Sequence, residues 1–211
     1  MKHLKKFNEA IIDWKTDDID KLKIELDELY ENRWEVPIDT LKKIANKYDI
    51  DIIDYYTFYE ELPTDEMRND APPSNIPFFG LYDKNQEKIK LVSSLREVSY
   101  NDIFMVKNIL KHENIHKQQN IRSKSDNDLE YFGNVKDKKA YFSNKHEIMA
   151  FSQTMVDIII THYPKEKDIK ELFDKVQTLP HYKDMVSFVD EKIIRRYNKY
   201  IYLYLELELN R

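Results

Sequence analysis

Residues 108–119 read Asn108-Ile109-Leu110-Lys111-His112-Glu113-Asn114-Ile115-His116-Lys117-Gln118-Gln119. Ile103, Val106 and Leu110 place apolar side chains at helical spacing just before it, so Ser99 to Gln118 predicts one helix. On that helix His112 and His116 are four residues apart and share a face, where both imidazoles can bind a single metal ion. Glu113 stands next to the first histidine and can reach a water on such an ion. Zinc brings the pKa of that water to about 7, and a carboxylate can then accept its proton as it attacks a carbonyl. The bland alternative is a pair of solvent-facing histidines beside an ordinary helical glutamate. With 6 His in 211 residues, a chain of this composition is expected to hold only about 0.014 chance matches to H-E-x-x-H.

Working outward, Phe78 to Tyr82 and Lys88 to Val92 flank the polar Asp83-Lys84-Asn85-Gln86, which predicts a hairpin ahead of the helix. Pro63, Pro72, Pro73 and Pro77 punctuate 62–77, which reads as a loop. Before it, Ile50 to Tyr56 is β-branched and aromatic and predicts a strand. Further upstream lie three helical patterns. Phe7, Ile11 and Trp14 mark the first. Asp17 to Asn32 carries Ile19, Leu22, Leu26, Leu29 and Tyr30, with Asp17 and Asp18 at its start. The third runs from Ile38 to Tyr48 behind Pro37, with Leu41, Ile44 and Ala45 inward. Downstream, a polar loop spans 119–130, and an extended piece covers Tyr131 and Lys139 to Phe142. A helix follows from Lys145 to about His162, and two more finish the chain, the last from Asp184 to about Leu209.

Composition bounds the rest. Two glycines leave no Gly-rich phosphate loop, and the absence of cysteine removes disulfides, thiolate metal sites and cysteine nucleophiles. A net charge of −5 gives no support for a broad nucleic-acid footprint. No run of apolar residues is long enough to cross a bilayer. The expectation is a soluble, intracellular protein.

A metal held by two histidines needs a third protein ligand to form a three-ligand site. Glu147, in Asn144-Lys145-His146-Glu147-Ile148-Met149-Ala150-Phe151, is the best candidate, at the start of the next helix. Asn144 and Glu147 also have the spacing of a capping box, so the glutamate can instead cap its own helix. His146 competes as a ligand, but adjacent helical residues point about 100° apart, so only one of the two faces the metal comfortably.

H-E-x-x-H followed by a downstream Glu on a second helix resembles the gluzincin metallopeptidases. Within them, the pattern of His112, Glu113, His116, Gln119, Tyr141, Glu147, Ala150 and Phe151 looks most like the short metallopeptidase-like proteins encoded by bacteriophages. The ImmA/IrrE layout is a second resemblance, through Leu41 to Ile52 and Gly80. That pattern has Gly before the second histidine and Asn after the alanine, where this chain has Ile115 and Phe151. Larger gluzincins also place an acid one turn after the ligand Glu, and Phe151 cannot orient a histidine in that way. Asn108, Gln119 and Asp157 are the candidates to replace it.

The resemblance implies a fold, a division of the chain and a set of roles. The fold is α+β and mostly helical, with a zincin-like core at 78–162. A helical region with one strand (1–62) packs on that core, 63–77 is the proline-rich loop, and 163–211 is a helical cap. His112, His116 and Glu147 bind Zn2+, and Glu113 is the general base and then the proton donor to the leaving amine. Tyr141 is the candidate oxyanion donor, set against a slightly stronger reading as core packing. His162 and His181 read as surface or satisfied histidines.

The implied activity is zinc-dependent hydrolysis of a peptide bond, with a polypeptide substrate and neither nucleic acid nor membrane as partner. The expected place is the cytoplasm of a bacterial host cell, or a virion if the chain is phage-encoded. A second reading keeps the fold as a weakly active or inactive binding module, a virion component or a host-factor-interacting protein. A third is a hydrolase of non-peptide amides. Residues 41–58 could be misread as a DNA-reading helix-turn-helix, but Asp49, Asp51 and Asp54 would repel phosphates. The Tyr- and Leu-rich helix around 197–207 reads as core, or as a docking surface for a partner or a second copy. Loop 62–77 could cover the site or hold a strand-like substrate against the hairpin edge.

Overall fold

The computed structural model describes residues 17–30, 34–71, 74–83, 85–122 and 137–210. The expected helix around Phe7 to Trp14, the loop from 123 onward and the extended piece at Tyr131 lie outside them. The described chain is α+β and mostly helical. It divides into two compact units, Met1–Lys124 and Ser125–Arg211.

The first unit contains α1 (Asp17–Tyr30), β1 (Glu35–Pro37), α2 (Ile38–Asn46), β2 (Ile50–Asp54), α3 (Tyr55–Glu61) and α4 (Asp65–Asp70). It continues with β3 (Phe78–Asp83), β4 (Lys88–Ser93), β5 (Glu97–Ser99) and α5 (Tyr100–Arg122). The main sheet has the order β2-β4-β3. β4 is antiparallel to β3, the expected hairpin, and parallel to β2, with Ile50 opposite Ile89. The period of two divides these strands between two apolar clusters. Phe78, Tyr82, Ile89 and Leu91 are buried with Leu22, Leu26, Leu41, Ile103, Val106 and Leu110. On the other face Val92 and Phe79 pack with Tyr55, Phe58 and Leu62.

Several local expectations give way to side-chain caps. Tyr55 and Tyr56 do not extend the strand, because the Asp54 carboxylate accepts the amides of Tyr56 and Thr57 at 2.9 and 3.4 Å and starts α3. Part of the 62–77 loop is α4, begun by the Thr64 hydroxyl accepting the Met67 amide at 3.2 Å. The strands β1 and β5, absent from the sequence reading, pair Val36 with Val98 and bury both. Three residues are too few for a period to show. α5 begins at a reciprocal cap: Ser99 donates amide and hydroxyl to Asp102, and its hydroxyl accepts the Asp102 amide. The helix continues to Arg122, so residues 119–122 belong to it and not to the following loop.

The second unit is helical: α6 (Lys138–Ser143), α7 (Lys145–His162), α8 (Ile169–Thr178), α9 (Pro180–Phe188) and α10 (Glu191–Leu209). Lys139 to Phe142 is therefore helix and not extended, with the Asp137 carboxylate accepting the Ala140 amide at 2.9 Å. The helix expected from Asp184 is two. Val189 is extended and Asp190 caps a new start through the Ile193 amide. Tyr197, Ile201, Leu203, Tyr204 and Leu205 of α10 are buried, while Tyr202 is partly exposed and stacks on Phe173. Among the described residues, no helix is long and apolar enough to cross a membrane.

Candidate metal centre

α5 brings its two histidines together as the spacing requires. His112 and His116 present their Nε2 atoms 3.2 Å from each other. Two nitrogens on one tetrahedral zinc, each at about 2.0–2.1 Å, would stand about 3.3 Å apart, so the pair fits a shared ion. Gln119 sits one turn further on, buried, with its carboxamide oxygen 3.1 Å from His116 Nδ1. An amide oxygen only accepts, so Nδ1 carries the proton and Nε2 keeps its lone pair for a ligand role. His116 is only 1% exposed, which fixes the ring by packing as well.

Glu113 is also buried, at 4% exposure. Its side chain lies over β3 at Gly80. A Cβ added at Gly80 would stand 2.3 Å from Ile109 Cγ2, 2.7 Å from Glu113 Cγ and 3.0 Å from Glu113 Oε1. No side chain fits there without a shift of the Ile109 or Glu113 side chain. Asn120 Nδ2 donates to the Tyr82 hydroxyl at 3.2 Å, a second tie between α5 and β3.

Glu147 lies in the first turn of α7. The Asn144 carboxamide caps that helix by accepting the His146 amide at 2.8 Å. The Asn144 amide donates to the Tyr141 carbonyl at 3.1 Å, which is the group a capping box would have given to Glu147. The glutamate is buried at 8% exposure. Burial, and then the negative charge of Glu147, hold the Tyr197 hydroxyl well above the usual tyrosine range. That hydroxyl donates to the Phe142 carbonyl at 3.1 Å.

His112, His116 and Glu147 form a group that could hold a metal ion. Each offers one ligand atom, and these atoms lie within 4.8 Å of one another. Two imidazoles and a carboxylate suit zinc and tolerate other divalent ions. It is the only such group of three or more among the described residues.

The remaining candidates fall elsewhere. Tyr141 is on α6, its ring edge-on to Phe151 at 5.8 Å and tilted against Phe142 at 5.4 Å. Asn108 is half-buried one turn before His112. Asp157 is further along the helix of Glu147. It lies ten residues beyond Glu147, about 15 Å along the helix, and accepts a hydrogen bond from Gln153 at 3.0 Å. His146 is outside the group of three, His162 Nδ1 bonds the Ile158 carbonyl at 2.7 Å, and His181 is exposed. Gly80 entered the sequence reading only as part of a layout, and its contact with Glu113 was not read there. Its signal was a lone glycine inside a strand pattern, which marks a close backbone approach. No family model matches this sequence, and comparison with curated proteins and with solved structures returns no match.

Proposed function

We propose that this chain is a zinc-dependent hydrolase of peptide bonds built on a zincin-like core. The observation that supports it is the grouping of His112, His116 and Glu147, three ligands, the number that leaves a coordination position open. A zinc ion, when bound, supplies Lewis acidity and a water acidic enough to be deprotonated near neutral pH.

The chain's own residues supply the rest. Gln119 holds His116 in the tautomer that offers Nε2. Glu113, next to His112 and shielded from bulk water, presents a carboxylate that can accept a proton from the attacking water. The same carboxyl returns that proton to the amine nitrogen as the carbon–nitrogen bond breaks, so water and amide become acid and amine with the glutamate unchanged.

Two measurements test the reading together. Elemental analysis of the purified chain should find one zinc, lost in His116→Ala. A mixture of quenched fluorogenic peptides should be cleaved by the wild type but not by Glu113→Gln, which keeps its zinc. Full turnover in Glu113→Gln removes the mechanism. A chain that binds zinc and cleaves nothing favours the binding module, and one that binds no zinc removes the hydrolase and leaves the module.

A further inference from the structure

Gly80 is one of only two glycines in the chain. It lies in β3, on the strand face that carries Phe78 and Tyr82 into the core beneath α5. Neither of the usual reasons for glycine applies. Gly80 has no positive φ, and it sits inside a regular antiparallel ladder opposite Leu91. A strand interior ordinarily prefers a β-branched or aromatic residue there. What the position does demand is empty space. The missing methyl would fall on Ile109 Cγ2 and on Glu113 Cγ, with Glu113 Oε1 at 3.0 Å. One of those neighbours is the stiff branch of a packed isoleucine. The other is the stem of the glutamate whose carboxylate the proposed chemistry needs.

We infer that Gly80 is the positioning residue for Glu113: the bare strand backbone forms the berth that seats the glutamate's side chain. This rests on the hydrolase reading and deepens it. The carboxylate would be set by β3 as well as by its own helix, and its place would not depend on the metal or on substrate. A methyl at position 80 has two separable effects. Against Ile109 it overpacks the core, which costs stability wherever it occurs. Against Glu113 it displaces a general base, and a misplacement of about 1 Å at a reacting group can lower turnover about a hundredfold.

The test separates those effects in the full chain. Gly80→Ala alone should lower the melting temperature of the metal-free protein by about 5 °C. Ile109→Ala removes the atom at 2.3 Å, so adding Gly80→Ala to it should cost clearly less. A further cycle with Glu113→Ala, also metal-free, should show coupling between positions 80 and 113, because that change removes Cγ. In the zinc-loaded protein, the G80A/I109A variant should cleave the fluorogenic peptide mixture about a hundredfold more slowly than I109A. KM and zinc affinity should be unchanged.

Equal turnover in G80A/I109A and I109A overturns the inference, as does additive melting behaviour for 80 and 113. If the wild type binds zinc yet cleaves nothing, the hydrolase reading fails and takes the positioning role with it. The cycle would then report a packing contact alone. If cleavage is present and abolished by Glu113→Gln while G80A/I109A matches I109A, the hydrolase reading stands and this inference falls.

Discussion

Gln119 grips His116 by the nitrogen that faces away from its neighbour: Oε1 lies 3.1 Å from Nδ1, three residues apart on one helix. Partners of this kind are worth roughly 10- to 100-fold in metal affinity. Gln119→Leu should therefore weaken zinc binding by about that factor, read by competition with a chromophoric chelator. Gln119→Glu, which still accepts from Nδ1, should keep most of the affinity. Equal affinity in all three proteins would make the contact incidental.

Zinc should stabilise the chain by mass action. At a free concentration of one hundred times Kd, a site present only in the folded state adds about 2.7 kcal/mol. The melting temperature should rise accordingly in wild type. It should stay flat in His112→Ala and His116→Ala, each of which removes one ligand of the group.

Asp83 gives a pH prediction unconnected with the metal. Burial raises its carboxyl, but the bond from Lys90 at 2.6 Å and the amides of Gln86 and Asn85 outweigh that, and the net shift is downward from 3.8. A depressed carboxyl stabilises the fold above its unfolded pKa, and the gain disappears as the pH falls through the folded value. Asp83→Asn should cost about 1 kcal/mol at pH 7. The gap in urea midpoint between the two proteins should hold down to about pH 4 and close below it.

Tyr197→Phe should destabilise by about 1–2 kcal/mol, because it leaves the Phe142 carbonyl without its buried donor. Urea denaturation measures this directly. Tyrosine absorbance at high pH should show no ionisation of Tyr197 until the protein unfolds, since burial and the nearby Glu147 charge both oppose the phenolate.

Long elements and rigid chemistry were legible in the sequence. α5 and α7 are long enough for a period of 3.6 to show, and α7 spans Lys145–His162 as read. The hairpin announced itself by two apolar arms around a polar turn, where Asp83 now accepts the turn amides. The histidine pair was readable because the ligand chemistry itself dictates the spacing. Short elements were not. α3, α4 and α6 each depend on one side-chain cap, from Asp54, Thr64 and Asp137, and such residues are equally common in loops. β1 and β5 exist only as a pair, so neither has a signature alone. Gly80 signalled a close approach, but not what approaches. The contact is with the helix behind it, and a strand pattern does not name what crosses it.

The parallel pairing of β2 with β4 bears on how the first unit assembles. The hairpin partners are neighbours in sequence, so β3 and β4 can zip together early at little entropic expense. β2 leaves the ribosome well before either of them, yet among the described residues its one ladder is to β4. Ile50 and Ile52 share a cluster with Leu22, Leu26 and Leu41, which are made before them, but the backbone of β2 gains its partner strand only after α3, α4 and β3 have been synthesised. That interval is when a nascent chain is most open to wrong association, and slow translation across residues 55–88 would lengthen it.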